Sequence, residues 1–418
     1  MKKMKKIWGS EILDSRGFPT VECNILLDDD FLVKASVASG ASVGEYEALE
    51  LRDSDQKRYF GKGVLKALQN IDNIIAPVLL GKEPDLISMD KMLIDLDGTE
   101  NKSNLGANAI LAVSMAVARA QAKSLNIKLY EFIAKLYESK DYLIPQVMFN
   151  ILNGGVHADS GISFQEFMIM PLGKDSFADQ LQKTVTVYQN LKRLLQNAGY
   201  STGVGDEGGF APKLAKGNDT GEKQALDFLS KAVEDSGFVL GQDFAFCLDV
   251  AASQFYDKEK KLYVLKDKKL TNREMIGLYE ALVSSYPIYS IEDGLYEQDW
   301  QGWREMTERL GSKIQLVGDD IFVTNVARIK KGIEFGVANS VLIKPNQIGA
   351  VSQTLEAMKL CKKNNYKTVV SHRSGETSDD FISDLVVGTC AGQFKAGACA
   401  RGERICKYNR LLEIERFL

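Results

Sequence analysis

The sequence predicts an α/β protein: a C-terminal (β/α)8-type barrel that begins with two directly joined strands, preceded by a smaller α+β domain. Three observations predict it. At 418 residues the chain exceeds one typical compact domain and leaves room for a barrel of ~250 residues beside a second unit. Its first third reads as strands followed by helices, whereas from residue 143 onward short apolar runs alternate with helical stretches. Almost every one of those later runs ends in a charged or polar residue, as expected where strand ends open onto a shared face.

Composition narrows the function classes. Hydrophobic residues at 45% with 26% charged suit a globular protein with a large core. A net charge of −4, without a basic stripe, argues against a nucleic-acid partner. The basic MKKMKK start is interrupted by Trp8, Gly9, Ser10 and Glu11 before any apolar core of a signal peptide can form. No apolar run approaches the ~18 residues of a membrane span. The six cysteines, at 23, 247, 361, 390, 399 and 406, form no CxxC pair, so free, mostly buried thiols in a reducing cytoplasm are expected.

The elements follow in order. Residues 5–36 hold strand-like runs, GSEILD, TVECNILL and FLVKASV, joined by RGFP and the acidic turn DDD, as in an antiparallel meander. Residues 61–137 carry apolar residues at three- and four-residue spacing in GVLKALQNIDNIIAPVLLG, SMDKMLIDLD and NLGANAILAVSMAVARAQAKSLN, and are expected to be helical. The boundary is expected at ESKDYL, with residues 1–138 as the first domain and 139–418 as the barrel.

In the barrel, FAFCLD ends at Asp249, YSIED at Glu292 and Asp293, IQLVGDD at Asp319 and Asp320, SVLIK at Lys344, TVVSHR at His372 and Arg373, and GQFK at Lys395. Asp249, Glu292, Asp319, Lys344, His372 and Lys395 follow one another at steps of 43, 27, 25, 28 and 23 residues, the length of a strand plus a crossover helix. Between LIPQVMFNIL and FQEFMIM lies only NGGVHADSGIS, too short for a crossover helix, so the first two strands are expected to join directly.

Such a ring implies chemistry. Asp249, Glu292 and Asp319 would repel one another if packed together; at an effective dielectric of ~20, two charges ~4 Å apart interact by ~4 kcal/mol. An all-oxygen triad suits a hard cation, and Mg²⁺ fits best because it keeps places for water and substrate oxygens. Taken singly, each acid reads better as half of a rim salt bridge; three at equivalent strand ends read as a metal cage. Lys344 and Lys395 end later strands. In a dry barrel mouth beside a divalent cation, the charged form of Lys344 would be disfavoured, its pKa would fall, and it could serve as a base. Position alone leaves a second role equally open, neutralising the acidic ring. Glu207 lies among the glycines of GDEGGFAP, which allow close approach to a ligand. To act as an acid it must be shielded or coupled to another carboxylate, for which Glu166 of SFQEFMI is available. In SHRSG, which holds one of only two histidines, Arg373 offers a planar fork for anion oxygens and Ser374 adds a hydroxyl. Ser374 or Thr377 could also cap the following helix, SDDFISDLVV, and the two roles are compatible because a helix start holds anions too.

Together the segments LDSRGFPTVE, SGASVGEYEA, NKSNLGANAILAVSMA, NGGVHA, FQEFMI, GVGDEGGFAP, LDVAAS, IED, GDDIFVTN, LIKPNQIG, SHRSGET and KYNRLLEIE resemble the enolase family along nearly the whole chain. The resemblance implies an N-terminal α+β domain on a barrel with a ββαα start, and reversible dehydration of 2-phosphoglycerate to phosphoenolpyruvate in glycolysis. It implies that Lys344 takes the C2 proton and Glu207 helps the C3 hydroxyl leave. Asp249, Glu292 and Asp319 would hold one Mg²⁺, and Ser42 would help hold a second when substrate binds. Lys395 would stabilise the dianion, His157 would close over the phosphate end, Gln165 and Glu166 would line the pocket, and Arg373 with Ser374 would grip the phosphate. A homodimer or higher homo-oligomer is implied as well.

The chain departs from the family pattern at Val43, where threonine is usual, at Gly294, where proline is usual, and at Ala396, where threonine is usual. Gly294 is expected to loosen the backbone beyond Glu292. Two alternatives accompany the reading: a relative acting on another phospho, phosphono or sugar acid, and a non-catalytic binding protein on the same scaffold. Retention of Glu207, Lys344 and the three carboxylates speaks against the second.

Overall fold

A computed structural model describes residues 2–40, 44–155, 160–214, 220–265 and 268–418. The chain opens with an antiparallel meander of β1 (Met4–Leu13), β2 (Pro19–Leu27) and β3 (Leu32–Ser36). Alternation along β2 buries Val21, Cys23, Ile25 and Leu27 on one face. That face is covered by the helix Ala107–Ser124, whose alanines at 109, 112, 116 and 120 are fully buried and let helix and sheet approach closely. The stretch 65–79 is helical with a widened π turn at Ile71–Ile75. Pro77 accounts for it: its ring clashes with the carbonyl four residues back and it has no N–H to donate. The helix Leu129–Tyr137 ends at Glu138, a left-handed residue with φ 62°.

The remaining strands build a closed eight-stranded barrel. It starts with β4 (Gln146–Asn153) and β5 (Glu166–Pro171), antiparallel because the segment between them is too short to cross over. Two helices, Phe177–Asn197 and Gly221–Asp235, then lead to β6 (Phe244–Asp249), which is antiparallel to β5. A small sheet follows, β7 (Tyr256–Asp257), β8 (Leu262–Leu265) and β9 (Lys268–Leu270). The barrel resumes with β10 (Ile288–Glu292), β11 (Gln315–Gly318), β12 (Ser340–Ile343), β13 (Lys367–Ser371) and β14 (Gly392–Lys395), each followed by helix. These strands pair in parallel, and β14 closes onto β4. A parallel strand is covered on both faces, hence the near-continuous apolar runs in the sequence. Side chains of one parity, including Phe149, Phe167, Leu248 and Ile343, join the main core under the helices. Those of the other parity, including Met148, Met168, Cys247, Val317, Leu342 and Val369, form a separate cluster that fills the barrel interior.

The main core runs without interruption from the first sheet and its helices into the barrel helices. Polar ties reinforce it. Ser114 Oγ accepts from Val351 N (3.0 Å), and the Arg119 guanidinium meets Asp379 at 2.6 and 2.9 Å and Asp380 at 2.8 Å. Among the described residues no helix is long and apolar enough to cross a membrane.

Two details differ from the sequence expectations. The helix Phe381–Gly388 starts behind Asp380, and neither Ser374 nor Thr377 caps it. The chain from 374 to 379 is drawn out against the first sheet instead: Gly375 bridges to Ser39, and the Thr377 and Ser36 hydroxyls bond at 2.8 Å. Cys23, Cys247 and Cys361 are buried, while Cys390, Cys399 and Cys406 are only half-buried; all six are free thiols.

Candidate active site

Strand register brings the acids together. Glu166 at the start of β5 pairs with Asp249 at the end of β6, and Asp249 pairs in turn with Glu292 at the end of β10. Three carboxylates from residues far apart in sequence therefore stand side by side at one mouth of the barrel. Lys395, at the end of β14, reaches across to all three: its Nζ lies 3.0 Å from Asp249 Oδ2, 2.9 Å from both Glu292 oxygens and 3.2 Å from Glu166 Oε2. Every partner is almost completely buried. Burial works against the Lys395 charge, but Asp249, Glu166 and Glu292 outweigh it and hold the amine well above its ordinary pKa. One ammonium cannot balance three carboxylates. Burial, with Glu207 next in weight, pushes Glu166 well up, and burial with Asp249 does the same to Glu292.

Asp319 sits one strand further on and is held separately. It pairs with Lys344, and its Oδ1 accepts from Gln347 Nε2 at 2.8 Å. Gln347 is fixed by the Thr324 hydroxyl (2.9 Å), and Thr324 also accepts the Lys344 N–H at 2.9 Å. Burial does disfavour the Lys344 charge, but Asp319 overrides it, so the amine is raised rather than lowered. Asp319 is correspondingly lowered: burial pushes it up and Lys344 pulls it further down.

The segment that follows Asp319 is strained. Val323 and Thr324 have φ of 43° and 54°, as does Asp293 at 44° beyond β10. For β-branched residues this is unfavourable backbone, maintained only where the surroundings over-determine it. Asp293 supplies part of that support, its two oxygens accepting the N–H groups of Asp319 (2.9 Å) and Asp320 (2.8 Å). The ligand atoms of Asp293, Asp319 and Asp320 lie within 4.8 Å of one another. Gly294 is not loose: its carbonyl accepts from the buried Tyr279 hydroxyl at 2.7 Å, and a Cβ there would meet Met306 Sδ at 3.1 Å. Ala396 is buried beside Lys395.

Glu207 faces the ring from the other side. Its loop lies flat on β4, with Phe210 N donating to Ile151 O (2.9 Å) and Asn153 N donating to Phe210 O (2.8 Å). Gly209 makes this approach possible, since a Cβ would stand 2.5 Å from Asn153 Oδ1. Asn150 Nδ2 donates to Glu207 Oε2 at 3.0 Å, and His372 Nε2 stands 3.4 Å from the same oxygen. Arg373 is fully enclosed, donating to both oxygens of Glu47 and to Asn346 Oδ1 (3.0 Å). Gln165, Glu166, Glu207, Asp249, Lys344, His372, Arg373, Ser374 and Lys395 line one small cavity. Ser42 and His157, together with Val43, lie outside the described residues. Sequence reasoning missed Glu47, Asn150, Gln347 and Arg404; Glu47 sits within SGASVGEYEA, but nothing local marks it as the partner of Arg373.

The donors suit a hard divalent cation. They are carboxylate oxygens without thiol or imidazole, their buried charge exceeds what Lys395 can balance, and the buried Gln165 Oε1 beside Asp249 has no hydrogen-bond partner among the described residues.

Fold and site thus define a class: a barrel enzyme with an antiparallel start, whose strand-end cavity gathers carboxylates, lysines and an arginine. The family profile described as "Enolase, C-terminal TIM barrel domain" matches residues 141–418, and "Enolase, N-terminal domain" matches residues 4–133. The enolase of Corynebacterium kroppenstedtii is 50% identical over 419 aligned positions, covering 100% of this chain and 96% of that protein. The chain belongs to the enolase family.

Proposed function

We propose that the protein is a hydro-lyase that interconverts 2-phosphoglycerate and phosphoenolpyruvate in glycolysis, acting as a cytoplasmic homodimer or higher homo-oligomer. Residues 139–418 are its catalytic barrel and residues 1–138 the domain capping it. The observation that carries the reading is one cavity shared by Lys344, Glu207, Arg373, Asp249 and Lys395, whose Nζ also holds Glu292.

Lys344 in its neutral form takes the proton from C2, and the electron pair passes into the substrate carboxylate. Lys395, already charged and already in place, stabilises the added negative charge with no reorganisation. The C3–O bond then breaks, the pair returns to form the C2–C3 double bond, and the hydroxyl leaves as water with a proton supplied from the Glu207–Glu166 pair. The raised Glu166 provides the coupling that a carboxyl acid needs in this cationic setting. Asp249, Glu292 and Asp319 would hold one Mg²⁺ and Ser42 would help hold a second, the ions polarising the substrate carboxylate. With the Asp319 charge engaged in that way, its hold on Lys344 would weaken, and burial would leave the amine able to work as a base. Arg373 and Ser374 hold the phosphate, with Gln165, Glu166 and His157 around the rest of the substrate. The test is turnover of 2-phosphoglycerate, followed by the ultraviolet absorbance of the enol phosphate, with and without Mg²⁺. Absence of product with the ion present would sink the reading.

A further inference from the structure

Arg404, on the helix Gly402–Glu415, is completely shielded from solvent (0% exposed). A guanidinium at that depth is expected to face a carboxylate, yet among the described residues its nearest acid oxygen, Glu403 Oε1, is 3.5 Å from Nε. It turns its donors elsewhere. Nη1 contacts His372 Nδ1 and donates to the Arg373 carbonyl, both at 2.6 Å. Nη2 donates to the carbonyls of Ser374 (2.7 Å) and Asp206 (3.0 Å). These acceptors belong to two loops, one carrying Glu207 and the other the anion grip.

A guanidinium has donors only and stays protonated, so its contact with Nδ1 requires a lone pair on that nitrogen. A neutral imidazole arranged this way carries its hydrogen on Nε2. The Nε2 atom is buried and 3.4 Å from Glu207 Oε2. Burial lowers His372 to about 4, keeping the ring neutral at pH 7.

We infer that Arg404 is a positioning residue for the acid end of the site: it sets His372 as the Nε2–H tautomer aimed at Glu207 and ties the Glu207 loop to the Arg373–Ser374 grip. Its catalytic significance rests on the proposed role of Glu207; the tautomer does not.

The chain has only two histidines, so ¹⁵N-histidine labelling yields two ring patterns, and His157→Asn assigns them. At pH 7 the wild type should show His372 with a protonated Nε2 and an unprotonated Nδ1. An Nδ1–H ring, an even mixture or an imidazolium overturns the inference. Arg404→Leu should give a tautomer mixture and lower kcat about 10²-fold, the cost of misplacing a reacting group by an ångström, with KM changed far less. Arg404→Lys should keep the tautomer and recover part of kcat. A wild-type tautomer or wild-type kcat in Arg404→Leu also overturns the inference. Should Arg404→Leu fail to fold, the wild-type and Arg404→Lys spectra decide. These spectra need no substrate, so a protein that ignores 2-phosphoglycerate while showing this tautomer defeats the functional reading alone.

Discussion

Glu47, beyond the first sheet, holds Arg373 of the barrel with both carboxylate oxygens, at 2.8 and 3.1 Å, and neither side chain is more than 6% exposed. The residue expected to grip a phosphate is thus already occupied by a protein anion. Removing one partner of a buried pair leaves the other charge uncompensated, at a cost of about 3–5 kcal/mol. Glu47→Gln should therefore lower the melting temperature, and inorganic phosphate should restore more of it than it adds to the wild type. Equal phosphate shifts in both proteins would show that Glu47 and the anion do not compete for Arg373.

Lys344→Ala should cut turnover by at least ~10²–10⁴-fold, the usual share of a general base. Circular dichroism should stay native. Lys344→Arg should rescue nothing, because a guanidinium cannot release its proton. Substantial activity in the arginine variant would remove Lys344 as the base.

Magnesium binding should tighten as pH rises. Burial and crowding push Glu292 and Glu166 above the ordinary carboxylate range, so these groups keep protons that a cation has to displace. Where one proton is displaced per ion, affinity gains about tenfold per pH unit. Calorimetry in buffers of different ionisation enthalpy reads the released proton directly. An affinity constant across the range in which Glu292 deprotonates contradicts the prediction.

Acid should erase the contribution of the Arg119–Asp379 pair. Burial raises the Asp379 carboxyl, but Arg119 outweighs it and the net shift is downward. A lowered folded value means stability present above the unfolded pKa of ~3.9 and lost as pH falls through the folded one. Asp379→Asn should cost about 3–5 kcal/mol at pH 7, with the gap to wild type narrowing below about pH 4. Chemical denaturation at both pH values tests it; a constant gap assigns the loss to something other than charge.

Much of this was legible before folding. The switch from TVECNILL-type strands to helical spacing marks the first unit, and the 23–43-residue steps between FAFCLD, YSIED, IQLVGDD, SVLIK, TVVSHR and GQFK mark the barrel. Both depend on local periodicity, which survives without knowledge of neighbours. The late start of the helix at Phe381 was not legible, because it follows from Gly375 and Thr377 being drawn against Ser39 and Ser36 more than 300 residues away.

The sequence by itself determined the barrel, its antiparallel opening and the acids and lysines at its strand ends, because residue spacing dictates which strand ends share a face. Only the tertiary structure decided the partners: Lys395 among Asp249, Glu292 and Glu166, Lys344 on Asp319, Glu47 on Arg373 and Arg404 on His372. Charge and hydrogen-bond energies are settled by a few ångströms and by burial, and both arise from contacts between segments that spacing along the chain does not encode.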